Sequence, residues 1–285
     1  MSDDLSNSLT QDSTVIENLK AELDKAEPSK RARILEKFFL AVLSSIPWVG
    51  GVLSAAENFR TEESNFRINH LQKQWLEEHQ RKIALLAATL DEIRHRFESI
   101  GEDIDERLQS EEYLAIVRKA FRAWDQAETE QKRRLLANAV TNAASTRVCS
   151  DDVIRLFIDW ISFYNEIYFA VIKEIYLNPF CSRYEIWTNL YGDTPREDSA
   201  EADLFKFLIR ELSTGSVIRQ PRDTTEAGEY RRKPPVHRKV ASPVLESAFD
   251  DKKTYVLTAL GKQFVHYTMN EIVTRIEAEA GPAQE

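Results

Sequence analysis

The chain has 285 residues, 42% hydrophobic and 30% charged, with a net charge of −9. That balance suits a helical globular protein with a wide solvated surface, and it gives the molecule as a whole no attraction to nucleic acid or anionic lipid. Cys149 and Cys181 form neither a disulfide framework nor a zinc pattern, and a total of 8 glycines argues against Gly-rich phosphate loops and a turn-dense β fold.

Residues 1–14 are polar and acidic, which predicts a disordered tail. They lack the basic start and apolar run of a secretory signal, so the expected location is cytoplasmic. Residues 15–148 read as a helical domain. Val15 to Ala26 carries a short amphipathic pattern, and Pro28 opens a helix that should stop or kink at Pro47.

Inside that region, 38–56 is FFLAVLSSIPWVGGVLSAA, a run without a charged residue. A spanning helix needs about 20 apolar residues, but Pro47, Gly50 and Gly51 predict a reversal, hence a helical hairpin. Three fates are open to it: burial in the protein's own core, release into a membrane on activation, or a partner or oligomer surface. Phe38, Phe39, Leu43, Ile46, Pro47, Trp48, Val49, Gly50 and Gly51 are the candidate membrane or partner residues. Lys30, Arg31, Arg33 and Lys37 form a basic shoulder suited to an anionic surface.

From Thr61 to about Gln109 the spacing predicts one long helix. Leu86, Leu90, Ile93, Phe97, Ile100 and Ile104 form its seam, weakened at Gly101 and the acidic run GEDIDE, where a break is open. Ser110 is placed to cap the next helix, and Asp125-Gln-Ala-Glu128 the one after, whose Ala137, Ala139, Ala143 and Ala144 invite close packing.

Residues 149–276 read as a winged-helix-like domain with a small β-hairpin, and 277–285 as a tail. Ser150-Asp-Asp starts a helix predicted to run to Asn178. Ser182-Arg-Tyr-Glu185 matches a capping box, a third helix covers Glu201 to Leu212, and Gly215 suits the left-handed position behind it. Two short strands flank a long polar segment, the wing. The third helix begins with acidic residues and is a poor reader of a DNA groove. Arg219, Arg222, Arg231, Arg232, Lys233, Arg238 and Lys239 make the wing the candidate phosphate contact.

The five histidines, His70, His79, His95, His237 and His266, do not fall at metal-binding spacing, and no nucleophile motif or phosphate loop stands out. The expectation is a non-enzymatic protein without cofactor.

Ile46-Pro-Trp-Val-Gly-Gly51, the long charged helix, Lys132-Arg-Arg-Leu-Leu-Ala-Asn-Ala139 and a helical unit ending in a wing together resemble the Abi-alpha proteins associated with abortive infection. The likeness lies in the order of parts over residues 30–270. It implies a bacterial, defence-associated helical effector or adaptor and supplies no catalytic residue. The basic RRKPPVHRK segment departs from the family's pattern. Expected partners are a protein or a second copy of the chain, nucleic acid through the wing, and a membrane on activation. The alternative is a dimeric winged-helix nucleic-acid-binding regulator.

Overall fold

The computed structural model describes residues 30–49, 70–222 and 247–269. The chain is mainly α-helical with a small C-terminal antiparallel sheet. It divides into two compact units, the first ending at Ser162 and the second spanning Phe163–Met269.

In the first unit, α1 covers Lys30–Ser45 and buries Ile34, Phe38, Ala41, Val42 and Ser45, which recur every three or four residues along one face. The chain bends at Ile46 and is helical again at Pro47–Val49. The helix α2 runs over His70–Ile100, so part of the predicted long helix before it lies outside the described residues. Leu86, Leu90, Ile93 and Phe97 are buried, as their seam predicts.

Gly101 stops α2 with φ +89°, a conformation that favours glycine, and a short 3-10 turn, Glu102–Ile104, follows. The remaining helices of the unit are α3 (Asp105–Gln109), α4 (Glu111–Gln126), α5 (Glu130–Ser145) and α6 (Asp151–Phe163). Ser110 caps α4 by accepting the Tyr113 N–H. The cap of α5 is Thr129, which accepts the Lys132 N–H, and not the Asp125–Glu128 pair.

The helix α1 packs on α3 and α4, α4 on α5, and α2 on α5. Phe38 sits in the middle. It is fully buried and meets the rings of Phe39, Phe97 and Phe121 edge-on at 5.5, 5.3 and 6.5 Å. Ala137, Ala139, Ala143 and Ala144 are all buried, and their small side chains let neighbours approach α5.

Charged side chains close the helix ends. Arg31 donates from Nη2 to the carbonyls of Phe97 at 2.7 Å and Gly101 at 3.0 Å, at the end of α2, where the Phe97 carbonyl also accepts the Gly101 N–H at 3.2 Å. Lys132 donates from Nζ to the Ser162 carbonyl at 3.2 Å. Arg107 forms a two-pronged pair with Asp151, lies over the Tyr113 ring at 5.3 Å, and donates to the Ala143 carbonyl at 3.3 Å.

The predicted helix 150–178 is two helices. The chain breaks at Tyr164 and Asn165, and α7 restarts at Glu166 and ends at Leu177. In the second unit, β1 (Cys181–Ser182), α8 (Arg183–Tyr191), α9 (Ala200–Thr214), β2 (Ile218–Arg219), β3 (Thr254–Leu257) and α10 (Ala259–Thr268) follow. The sheet has three strands in the order β1-β3-β2. Cys181 pairs with Tyr255, Ile218 with Leu257 and Arg219 with Val256, all antiparallel. The order helix, strand, two helices, strand pair is that of a winged-helix module.

Ser182 and Glu185 form the expected capping box. Trp187, Phe205 and Phe249 make an aromatic cluster with ring centres 5.2 to 6.0 Å apart, and Phe169 stacks on Phe264 at 6.3 Å.

Behind α9, the left-handed residue is Ser216 (φ 58°) and not Gly215. Val217 N–H returns to the Leu212 carbonyl at 2.9 Å and Ser216 N–H to Ser213 at 3.2 Å, a Schellman closure. A Cβ at Gly215 would lie 2.8 Å from the Tyr164 hydroxyl, so a larger residue there requires that side chain to shift.

Candidate functional site

Residues 38–49, the described part of the apolar run, contribute to the core of the first unit. Phe38, Phe39, Ile46 and Val49 are buried in the first unit, Leu43 and Trp48 are half-buried, and Pro47 is exposed. Gly50 and Gly51 lie outside the described residues. Among the described residues no helix is long and apolar enough to cross a membrane. The expectation of membrane association is therefore overturned. The physical reason is that the apolar face of α1 already has a partner in the Phe97 and Phe121 rings. Arg31, assigned to a lipid-facing shoulder, spends its guanidinium on the end of α2.

The second unit carries the arrangement of most chemical interest. Ser199 caps α9 by accepting the Ala202 N–H. The helix turns Ala202, Phe205, Leu208, Ile209 and Leu212 inward. The opposite face therefore offers Asp203, Lys206, Phe207 and Arg210. The Schellman closure then drops the chain into β2, where Ile218 points inward and Arg219 outward. Pairing of β2 with β3 brings Lys253 and Tyr255 alongside. Arg183, at the start of α8, donates to the Tyr255 hydroxyl at 3.0 Å and the Ser247 carbonyl at 3.3 Å.

These elements enclose a groove of about 840 Å³ between the outer face of α9 and the strand pair. Among the described residues its walls carry six cations, Arg183, Lys206, Arg210, Arg219, Arg222 and Lys253, and one carboxylate, that of Asp203. A concave site with one sign of charge concentrates field and draws counter-charge. Arg210 lies 5.8 Å over the Phe207 ring, and that ring is 42% exposed. Lys206 is also within 3.3 Å of Glu197. Burial pushes the Glu197 carboxyl upward, but the Ala248 N–H, the Ser247 hydroxyl and Lys206 outweigh it and hold it below its ordinary value.

Of the residues assigned to the wing, Arg219 and Arg222 stand in this groove, and Arg231, Arg232, Lys233, Arg238 and Lys239 lie outside the described residues. Arg183, Lys253 and Phe207 were not foreseen. Lys206 and Arg210 lie beyond the acidic start of the third helix, which alone marks that helix as a poor groove reader. Among the described residues no group of His, Cys, Asp and Glu side chains is placed to hold a metal ion.

In fold, the second unit is a winged-helix-like module with a basic groove along its third helix. No protein-family model matches the chain, and no curated protein or solved structure is significantly similar to it. The likeness to the Abi-alpha proteins thus rests on its short motifs.

Proposed function

We propose that the chain is a nucleic-acid-binding protein whose winged-helix-like module holds phosphates in the groove between α9 and the strands β2 and β3. The observation that carries this reading is that the described residues of the groove walls include six cations and one carboxylate. Phosphate contacts made by Lys and Arg supply affinity and register without reading sequence. A net charge of −9 keeps the rest of the molecule from adding nonspecific attraction, so binding is confined to this face. A setting in antiviral defence, drawn from the family resemblance, is compatible with this role and supported by the short motifs alone.

The test is fluorescence anisotropy with labelled nucleic acid across a salt series. Binding should weaken steeply between about 50 and 200 mM salt. The combined Arg210→Ala, Arg219→Ala and Arg222→Ala variant should bind weakly and flatten the salt dependence by up to about 0.9 log units per phosphate contact removed. Absence of binding by the intact protein at low salt overturns the proposal.

A further inference from the structure

The groove has two further properties that bear on which form of nucleic acid it takes. Its positive charge is displaced from the N-terminal end of α9. Glu201 and Asp203 occupy the first turn of that helix. A winged helix docked into a duplex leads with the N-terminal residues of this helix. Here that approach would press two carboxylates toward the phosphates. The cations lie further along, at Lys206 and Arg210, and across the groove at Arg219 and Arg222.

The second property is Phe207. It lines the groove among these cations and keeps 42% of its surface exposed, with Leu204 50% exposed one turn earlier on the same helix. A large ring left in water beside a basic channel is of no use to a duplex, whose bases are already stacked on one another. It is of direct use to a single strand. Single-strand sites combine a basic track for the backbone with aromatic rings on which bases stack, and Arg adds a cation–π contribution. The Arg210 guanidinium, 5.8 Å from the Phe207 ring centre, is placed to give it.

We infer that the groove takes single-stranded nucleic acid, with a base stacked on Phe207 and the backbone running past Arg210 toward Arg219 and Arg222. This rests on the nucleic-acid reading of the same groove. The strand is held by charge along its length and by one aromatic face, so the site discriminates strandedness before sequence.

The experiment compares a labelled oligo-dT strand with a duplex of equal length at matched salt, using the intact protein and Phe207→Ala, Phe207→Leu, Phe207→Trp and Arg219→Ala variants. Thermal unfolding of each variant checks the fold. The single strand should bind more tightly than the duplex. Phe207→Ala and Phe207→Leu should each weaken single-strand binding by about tenfold, the scale of one lost base stack, and leave the salt slope unchanged. Phe207→Trp should retain affinity, and Arg219→Ala should lower the salt slope. Equal or tighter duplex binding, or full affinity in Phe207→Leu, overturns the single-strand inference and leaves phosphate binding standing. Failure of the intact protein to bind either form at low salt removes both.

Discussion

Trp48 donates its indole N–H to the Asp125 carboxylate at 2.6 Å. The bond ties Trp48, within the uncharged run 38–56, to the last turn of α4, with Lys82 3.9 Å from the same carboxylate. The segment is thus fastened by a charge-assisted hydrogen bond as well as by packing.

Phe38→Ala should therefore destabilise the first unit by about 3–5 kcal/mol, the usual cost of deleting a fully buried aromatic ring. Val49→Asp, which puts a carboxylate into a 4% exposed site, should lower stability in the same direction. Urea unfolding followed by circular dichroism reads both. Unchanged midpoints would mean that α1 is not part of the core.

Arg31→Ala removes both donors from the end of α2 and should cost about 2 kcal/mol, the scale of hydrogen bonds from a charged group. Arg31→Lys should restore only part, since an ammonium lacks the guanidinium fork. The same urea experiment distinguishes the two, and equal stability of all three proteins would refute the capping role.

Gly261→Ala should destabilise the second unit by about 3 kcal/mol. A Cβ at that position would stand 2.2 Å from the Val217 carbonyl oxygen, a backbone atom that also accepts the Thr258 N–H at 3.0 Å and has no room to yield. Differential scanning calorimetry should show a lowered transition.

Burial pushes the Cys181 thiol up to about 11. Its thiolate is scarce at neutral pH, so alkylation should be slow there and accelerate only as pH approaches that value. Cys149 is less buried and should react first. Mass spectrometry of peptides after timed iodoacetamide treatment reports the order, and faster labelling of Cys181 contradicts it.

Glu197 is held below its ordinary value of 4.5. A carboxyl lowered by folding contributes stability that is fully present above its unfolded value and is lost as pH falls through the folded one. The second unit should weaken on acidification through this range, and Glu197→Gln should flatten that dependence. The effect is small, because the side chain is half exposed. Urea midpoints from about pH 6 to about pH 3 test the sign.

Local rules reached part of this structure. The Ser182–Glu185 capping box, the Ser110 cap, the Leu86–Phe97 seam and the Gly101 stop each depend on residues within a few positions of one another. What escaped depends on residues far apart. The two-residue strand Cys181–Ser182 exists only because Thr254 and Tyr255 pair with it. The break at Tyr164 falls in an apolar stretch with no proline or glycine to mark it. Asp125 belongs to the last turn of α4, so the cap of α5, which starts at Glu130, is Thr129. The groove is hidden for the same reason: Arg183 reaches it through its bond to Tyr255, 72 residues away, which lines the groove with Lys253. The acidic first turn of α9 masks in sequence the cations Lys206 and Arg210 that follow it.

The register of β2 against β3 fixes both ends of the intervening chain, with Ile218 opposite Leu257 and Arg219 opposite Val256. That register is set by backbone hydrogen bonds, so Arg219 is carried on a frame that does not depend on the identity of its side chain. The cation can be exchanged there, and ligand preference altered, without redesigning the core of the module.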